Sequence, residues 1–332
     1  MLEHGGDLAR ASREHGIPEE RWLDLSTGIN PLGYPVPPMP PNAWLRLPGD
    51  SEPLLRAARD CYRAMELLPV AGTQAAIQAL PRLRAHSRVT LADLTYNEYA
   101  HAWKRRGHAV HAVPPREFDE RLAGTDVLVV CNPNNPTGER IEPDRLLGWH
   151  AALAARDGWL IVDEAYIDVS PDASLAPFAS RPGLIVLRSL GKFFGLAGAR
   201  IGFVSAERSL LHVLEDELGP WTVAGPAQFA AGAALRDRDW QAQTRAALIA
   251  SGRRLHALLA RSGIAAQGTA LFQWWRNEHA AQLHRALARQ AILTRRIRDG
   301  DSGGVRIGLP GDEADWRRLE RALVLWKDMQ CA

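Results

Sequence analysis

The sequence predicts an α/β protein whose large domain contains a mostly parallel sheet covered by helices, with a smaller α+β domain built from both chain ends. Between about residues 70 and 205, short continuous apolar runs alternate with helical stretches, which is typical of parallel strands buried on both faces. Beyond residue 225 the pattern changes: a long helical stretch leads into three more apolar runs and a last helix.

Six runs in the first region have the composition of buried strands. They are SRVTLAD (87–93), HAVHAVP (108–114), TDVLVVC (125–131), GWLIVDE (158–164), GLIVLRS (183–189) and RIGFVSA (200–206). The proline-rich segment PLGYPVPPMPPNAW (31–44) predicts an extended connection, because its prolines forbid regular helix. The predicted domains are an N-terminal segment that joins the small domain (1–45), a large domain (46–224) and a C-terminal small domain (225–332).

The composition indicates an ordinary globular protein. Of the 332 residues 46% are hydrophobic and 23% are charged, and 40 basic side chains nearly balance 38 acidic ones. Without a basic block, neither nucleic-acid nor membrane-surface binding is expected. The three cysteines (Cys61, Cys131 and Cys331) have no metal-binding spacing and suit a reducing cytoplasm, and the charged start is not typical of a signal peptide.

Polar side chains follow the predicted strands at their carboxyl ends, where parallel α/β sheets bind ligands. Three such loops are CNPNNPTG (131–138), DEAY (163–166) and RSLGKFFGLAGARIG (188–202). Upstream, Gly72 and Thr73 stand at the start of a helix, where free backbone amides favour a phosphate. One edge of the sheet is therefore predicted to carry an amine, a carboxylate, a phenol, an amide and a phosphate cradle.

The run from NPNNPTG through VDEAY to SLGKFFGLAGARIG resembles the fold-type I pyridoxal-phosphate enzymes, the aspartate aminotransferase superfamily. Within that superfamily the chain is similar to the histidinol-phosphate aminotransferase branch. The resemblance covers nearly the whole chain and rests on the joint order of the motifs, since each motif alone is most often an ordinary turn or cap. It implies that the cofactor is pyridoxal 5′-phosphate and that no metal is needed.

The resemblance also implies roles for individual residues. Lys192 would condense with the cofactor aldehyde, and Asp163 would keep the pyridine nitrogen protonated, which makes the ring an electron sink. Asn135 and Tyr166 would hydrogen-bond the ring hydroxyl, and Tyr96 would stack on the ring. The residues implied to bind the cofactor are Gly72, Thr73, Tyr96, Asn135, Asp163, Tyr166, Ser189, Lys192 and Arg200, of which Lys192, Asp163 and Tyr166 are the predicted catalytic residues.

The N-terminal run HGGDLARASREHGIPEERWLDLSTGINPLG resembles the start of the threonine-phosphate decarboxylase family of cobalamin biosynthesis, and PWTVAGPAQ (220–228) fits the same group. This implies decarboxylation of L-threonine O-3-phosphate to (R)-1-amino-2-propanol O-2-phosphate. The alternative is a histidinol-phosphate-type aminotransferase, which would use nearly the same residues. A cofactor-binding regulator is disfavoured, because no basic helix-turn-helix segment precedes the sheet domain.

Four residues are predicted to bind the substrate. His4 is expected to bind the substrate phosphate, and Asn30 is expected to lie near the substrate. Arg306 matches the family arginine that grips the α-carboxylate, a role suited to a bidentate guanidinium. Arg295 matches a phosphate-binding position, with Arg296 as the competing candidate because adjacent strand residues face opposite ways.

The resemblance implies a homodimer. Related enzymes often carry a tyrosine that crosses the dimer interface to the cofactor phosphate, and Leu47 occupies that position here. The loss of one hydrogen bond to a charged group is worth about 1.5–3 kcal/mol, so it need not abolish cofactor binding.

Overall fold

The computed structural model describes residues 4–49, 51–297 and 303–331. The chain divides into two compact units. The small unit comprises the described residues within 1–32, 136–138 and 244–332, and the large unit comprises those within 33–135 and 139–243. Apart from the short segment 136–138, the units divide after residues 32 and 243, where the sequence predicts boundaries after residues 45 and 224.

Two segments that the sequence assigns to the small domain pack within the large unit. The backbone N–H of Tyr34 donates to the carbonyl of Phe194 at 2.8 Å, and the Tyr34 hydroxyl donates to Asp237 at 3.3 Å. A Cβ added at Gly225 would lie 2.4 Å from the carbonyl oxygen of Ala43, so these two segments touch closely. Composition shifts along the chain do not reveal such contacts, which explains the difference.

The structure forms the following elements. The α-helices of the described residues are α1 Leu8–His15, α2 Asn42–Leu45, α3 Glu52–Tyr62, α4 Thr73–Ala79, α5 Glu98–Arg105, α6 Phe118–Arg121, α7 Pro143–Ala154, α8 Arg208–Leu218, α9 Gly225–Arg236, α10 Arg238–Arg261, α11 Ala280–Arg289 and α12 Glu313–Cys331. The strands there are β1 Leu23–Asp24, β2 Leu68–Val70, β3 Arg88–Ala92, β4 Ala109–Val113, β5 Val127–Cys131, β6 Trp159–Asp163, β7 Leu184–Ser189, β8 Gly202–Ser205, β9 Gln267–Gly268, β10 Phe272–Arg276, β11 Ile292–Leu293, β12 Arg295–Ile297 and β13 Gly304–Gly308.

The large unit is built around a seven-stranded sheet with the order β2-β8-β7-β6-β5-β3-β4. Strands β3 to β7 pair in parallel, and β8 pairs antiparallel with both β7 and β2. All six predicted strands form. The sequence did not predict β2, which contains Pro69, and it did not predict the one-turn helix α2 that closes the proline-rich segment.

The continuous apolar runs form strands because helices cover both faces of this sheet. Val127, Leu160, Ile185 and Val186 are each at most 1% exposed. On one face the alternate residues of β3, β5, β6 and β7 pack against α4, α5 and α8. A sheet buried in this way leaves polar side chains mainly at the strand ends, which is where the predicted motifs begin.

The small unit contains a four-stranded antiparallel sheet with the order β12-β13-β10-β9 and a parallel pair of β1 with β11. Helices α11 and α12 bury Leu283, Leu287, Leu319 and Leu323 completely. The pairing of β1 with β11 joins the two chain ends in this unit, as the sequence predicts. None of the helices in the described ranges is long and apolar enough to cross a membrane.

Candidate active site

The carboxyl ends of β5, β6 and β7 surround a cavity of about 160 Å³, which we call the strand-end cavity. Sheet register brings Cys131 level with Asp163, and Asp163 level with Leu187. All nine residues predicted to bind the cofactor line this cavity. Its lining is Gly72, Thr73, Gln74, Tyr96, Cys131, Pro133, Asn135, Asp163, Ala165, Tyr166, Ser189, Gly191, Lys192, Ala197 and Arg200.

The loop that carries Lys192 is anchored by the two residues that follow it. Phe193 and Phe194 are at most 1% exposed, and both rings contact Trp240 at centroid distances of 5.7 and 5.8 Å. The carbonyl of Lys192 accepts the N–H of Gly195 at 3.2 Å. With its neighbours buried, Lys192 is held at the cavity wall, and its Nζ lies 5.7 Å from the ring centroid of Tyr166.

Asp163 is 6% exposed and is held at both of its carboxylate oxygens. Oδ1 accepts the backbone N–H of Ala165 at 2.9 Å, and Oδ2 accepts the hydroxyl of Tyr99 at 2.9 Å. Burial raises the pKa of Asp163, and the two hydrogen bonds and the charge of Lys192 oppose that rise. The sequence reasoning missed Tyr99, which lies in the first turn of α5, because nothing in the sequence around it indicates that its hydroxyl meets Asp163.

Gly72, Thr73, Ser189 and Arg200 form one wall of the cavity. Gly72 has φ of 71°, and a Cβ placed there would lie 2.6 Å from an Arg200 guanidinium nitrogen. Both the backbone conformation and the close approach of Arg200 therefore require glycine at this position. The wall presents hydroxyl, guanidinium and backbone N–H donors, which is the donor set that a phosphate accepts.

A polar chain behind Tyr96 fixes the position of its ring. The Tyr96 hydroxyl donates to Gln74 at 3.2 Å, and the Gln74 amide donates to Glu98 at 2.7 Å. Gln78 donates to the same Glu98 oxygen at 3.2 Å. Gln74 also lines the strand-end cavity, and the sequence reasoning missed it because its partners, Tyr96 and Glu98, come from a distant segment at the start of α5.

His4 and Arg295 line a second cavity, of about 80 Å³, in the small unit, which we call the N-terminal cavity. Arg296 lines it as well, so this cavity does not distinguish between the two candidate arginines. The lining also includes His284, whose Nδ1 lies 2.8 Å from the Thr294 hydroxyl and whose pKa burial lowers to about 4.

The other two predicted substrate residues are buried in the small unit but, in the ranges that the structure describes, do not line the N-terminal cavity. Asn30 is 4% exposed, and its side-chain oxygen accepts the N–H of Leu32 at 3.0 Å. Arg306 is 5% exposed and donates to the carbonyl of Ser26 at 2.6 Å. Arg306 lies opposite Arg295 in the pairing of β13 with β12.

A larger surface cleft of about 920 Å³ also lies in the large unit. It is lined by residues around Leu55, Leu68, His212 and Trp221, and no predicted site residue is among those described in its lining. The smaller strand-end cavity is the candidate active site because it combines a lysine, a buried carboxylate and an anion-binding wall.

A compact charged cluster lies beside the site and fixes its framework. We call Glu164, Asp168, Ser174 and Arg188 the Arg188 cluster. Arg188 donates to Asp168 at 2.5 Å and to the Ser174 hydroxyl at 3.0 Å, and it lies 3.5 Å from Glu164. These four side chains belong to residues that are at most 4% exposed. The cluster joins the end of β7 to the end of β6 and to the segment that follows Tyr166.

The chain belongs to the aminotransferase class I and II family, whose model matches residues 57–323. It is 52% identical to the threonine-phosphate decarboxylase of Pseudomonas aeruginosa, over 99% of each chain. It is 42% identical to the threonine-phosphate decarboxylase of a Sinorhizobium species, over 97% of each chain. Histidinol-phosphate aminotransferase from Sinorhizobium meliloti, solved with pyridoxal 5′-phosphate, superposes with a TM-score of 0.81 over 99% of each chain; at 19% identity this likeness shows the fold alone.

The family uses pyridoxal 5′-phosphate, and the strand-end cavity fits that group. A side chain at position 72 would fill the space beside Arg200, so the glycine leaves a cradle for an anion. An amine, a buried carboxylate and an aromatic ring line the rest of the cavity, at Lys192, Asp163 and Tyr96. These are the groups that an aldehyde, a basic ring nitrogen and a flat ring require.

Proposed function

We propose that the protein decarboxylates L-threonine O-3-phosphate to (R)-1-amino-2-propanol O-2-phosphate, with pyridoxal 5′-phosphate as cofactor, in cobalamin biosynthesis. The observation that carries this choice is the 52% identity to a threonine-phosphate decarboxylase along nearly the whole of both chains. The HGG start at His4 and the INPLG run at Asn30 support it, because both occur in the region that gave the resemblance to this family.

Pyridoxal phosphate, when bound, supplies an aldehyde for amines and a cationic ring that accepts the electron pair released at Cα. Lys192 would provide the amine that binds the aldehyde, and Asp163 would hold the ring nitrogen in its protonated form. Thr73, Ser189 and Arg200 would bind the cofactor phosphate, with Gly72 leaving the space. Asn135 and Tyr166 would orient the ring hydroxyl, and Tyr96 would stack on the ring.

The reaction breaks the bond between Cα and the carboxylate, releases CO₂ and places one proton on Cα. We assign delivery of that proton to Lys192, because it is the amine on the cavity wall. His4 and Arg295 would bind the substrate phosphate, Arg306 would bind the carboxylate, and Asn30 would lie near the substrate. Binding energy from the phosphate, which does not react, is available to orient the bond that breaks.

Assembly and location are further parts of the proposal. A homodimer in the cytoplasm agrees with the widely spaced cysteines and with the apolar side chains Trp44, Leu45 and Leu47, which are at least 69% exposed in the large unit. Light scattering coupled to gel filtration measures the mass. A mass near twice 36.5 kDa supports the dimer, and a mass near 36.5 kDa contradicts it.

The test of the proposed reaction is incubation of the cofactor-loaded protein with O-phospho-L-threonine and no 2-oxo acid. We expect sustained release of CO₂ and formation of one equivalent of the amine phosphate for each CO₂ released. ³¹P NMR measures the amine phosphate. A single half-turnover that stops until a 2-oxo acid is added would show an aminotransferase instead. Lys192→Ala is the control that should form no product, and histidinol phosphate with 2-oxoglutarate tests the alternative substrate directly.

A further inference from the structure

Tyr99 contributes a hydrogen bond at the centre of the candidate site that none of the predicted roles includes. It lies on α5, is 1% exposed, and its hydroxyl donates to Oδ2 of Asp163 at 2.9 Å. Oδ1 of the same carboxylate accepts the N–H of Ala165 at 2.9 Å. Asp163 is therefore fixed by one donor at each oxygen before any ligand contacts it.

The two donors act on the charge of the carboxylate as well as on its orientation. A buried carboxylate tends to take up a proton, because the low-dielectric surroundings disfavour its charge. Donors at both oxygens stabilise the anion, because hydrogen bonds to a charged group are stronger than those between neutral groups. When the carboxylate is held as an anion, it does not take up the proton that it shares with a ring nitrogen. The proton then stays on the nitrogen.

We propose that Tyr99 is a positioning residue that holds Asp163 as an oriented anion, so that the proton shared with the cofactor resides on the ring nitrogen. The inference rests on the proposed function, because it needs pyridoxal phosphate in the strand-end cavity. Tyr99 acts through Asp163 and is not itself among the residues that line the cavity. Without the Tyr99 hydroxyl, the proton shifts toward the carboxylate and the ring becomes a weaker electron sink.

The alternative is a purely structural role, in which Tyr99 is a core aromatic residue whose buried hydroxyl needs a hydrogen-bond partner. The chain offers a matched control for this alternative in Tyr62, which is 2% exposed. In the described part of the chain the Tyr62 hydroxyl has no hydrogen-bond partner. Tyr62→Phe therefore removes a buried hydroxyl from the same unit without changing a hydrogen bond to Asp163. Tyr99→Phe removes the hydroxyl that donates to Asp163.

The experiment is ¹⁵N NMR of wild type, Tyr99→Phe and Tyr62→Phe, each loaded with pyridoxal phosphate labelled at the ring nitrogen. We expect a protonated-ring signal for wild type and Tyr62→Phe, and a displacement toward the neutral-pyridine position for Tyr99→Phe. Steady-state kinetics should show kcat about tenfold lower for Tyr99→Phe with KM nearly unchanged. Replacing Tyr99 by 3-fluorotyrosine, which keeps the hydroxyl, should preserve the wild-type signal and rate.

An identical ring-nitrogen signal in wild type and Tyr99→Phe would overturn the inference and leave the proposed function standing. Equal effects of Tyr62→Phe and Tyr99→Phe would also overturn it, since the cause would then be general loss of packing. Failure of the wild-type protein to bind the labelled cofactor would overturn both proposals. If the phenylalanine variant does not fold, the 3-fluorotyrosine protein decides: a signal displaced toward neutral pyridine contradicts the inference, and a retained one supports it.

Discussion

Two groups of polar and charged residues alternate along the ends of β6 and β7, and they differ in where their partners lie. Glu164 and Arg188 belong to the Arg188 cluster, where the partners are other side chains of the chain. Their sequence neighbours Asp163 and Ser189 line the strand-end cavity. Because successive residues of a strand point to opposite faces, one residue can stabilise the fold while its neighbour contributes to binding or catalysis. The cluster should therefore control stability, and the cavity should control activity.

The largest expected effect is a loss of stability when the Arg188 cluster is broken. Arg188→Ala leaves Glu164 and Asp168 buried without their shared cation, and breaking a buried ion pair by removing one partner costs about 3–5 kcal/mol. Urea unfolding of the protein without cofactor should show this loss in the free energy of unfolding. A loss below about 1 kcal/mol would mean that the cluster does not hold the framework together.

The next largest effect is a loss of catalytic activity when Asp163 is replaced. Asp163→Asn keeps an oxygen that can accept the N–H of Ala165 but removes the charge that would hold the ring nitrogen protonated. Loss of one preorganised electrostatic partner typically costs about 100- to 1000-fold in kcat. We expect such a loss in decarboxylation, together with a loss in the free energy of unfolding that is smaller than the loss for Arg188→Ala, because the variant weakens the bond to Tyr99 but breaks no buried ion pair. Unchanged activity would contradict the division between the two groups.

Glu164 should give a smaller, pH-dependent effect. Burial raises its pKa from 4.5 to about 7, and Arg188, Ser174 and the N–H of Leu175 oppose the rise only in part. The folded chain then binds this proton more tightly than the unfolded chain does, so stability falls as the pH rises from about 4.5 to 7 and levels off above that.

Glu164→Gln cannot titrate and should lose this slope. Between pH 5 and pH 8, the stability of the variant relative to wild type should rise by about 1–3 kcal/mol. Urea unfolding at the two pH values measures the change. Parallel curves for the two proteins would show that Glu164 does not titrate in this range.

The smallest effect is expected for a surface pair. Arg82 and Glu217 bond each other, but their side chains are 46% and 28% exposed. Such pairs typically contribute about 0.2–1 kcal/mol and weaken with salt. Arg82→Ala is therefore the matched control for Arg188→Ala by urea unfolding. An equal loss in the two variants would remove burial as the explanation for the importance of Arg188.

The strand ends and the polar residues next to them can be predicted from the sequence, because local patterns determine both. A continuous apolar run predicts a buried strand, and the polar residue after it must lie at the sheet edge, as Asp163 and Lys192 do. Tyr99 and Gln74 could not be predicted in the same way, because their partners are set by how α4 and α5 pack. The role of Arg188 could not be predicted for a different reason. The sequence around a charged residue inside an apolar strand does not indicate which carboxylates it will contact in the folded protein.

The central claim is that Lys192 binds pyridoxal phosphate, and the chain makes this unusually easy to test. It has three lysines, of which Lys104 and Lys327 are exposed and Lys192 is partly buried at the cavity wall. Borohydride reduction of the cofactor-loaded protein, followed by peptide mass spectrometry, locates the modified lysine. The cofactor mass should appear on the peptide containing Lys192 alone. Its appearance on Lys104 or Lys327, or on no peptide, would contradict the account.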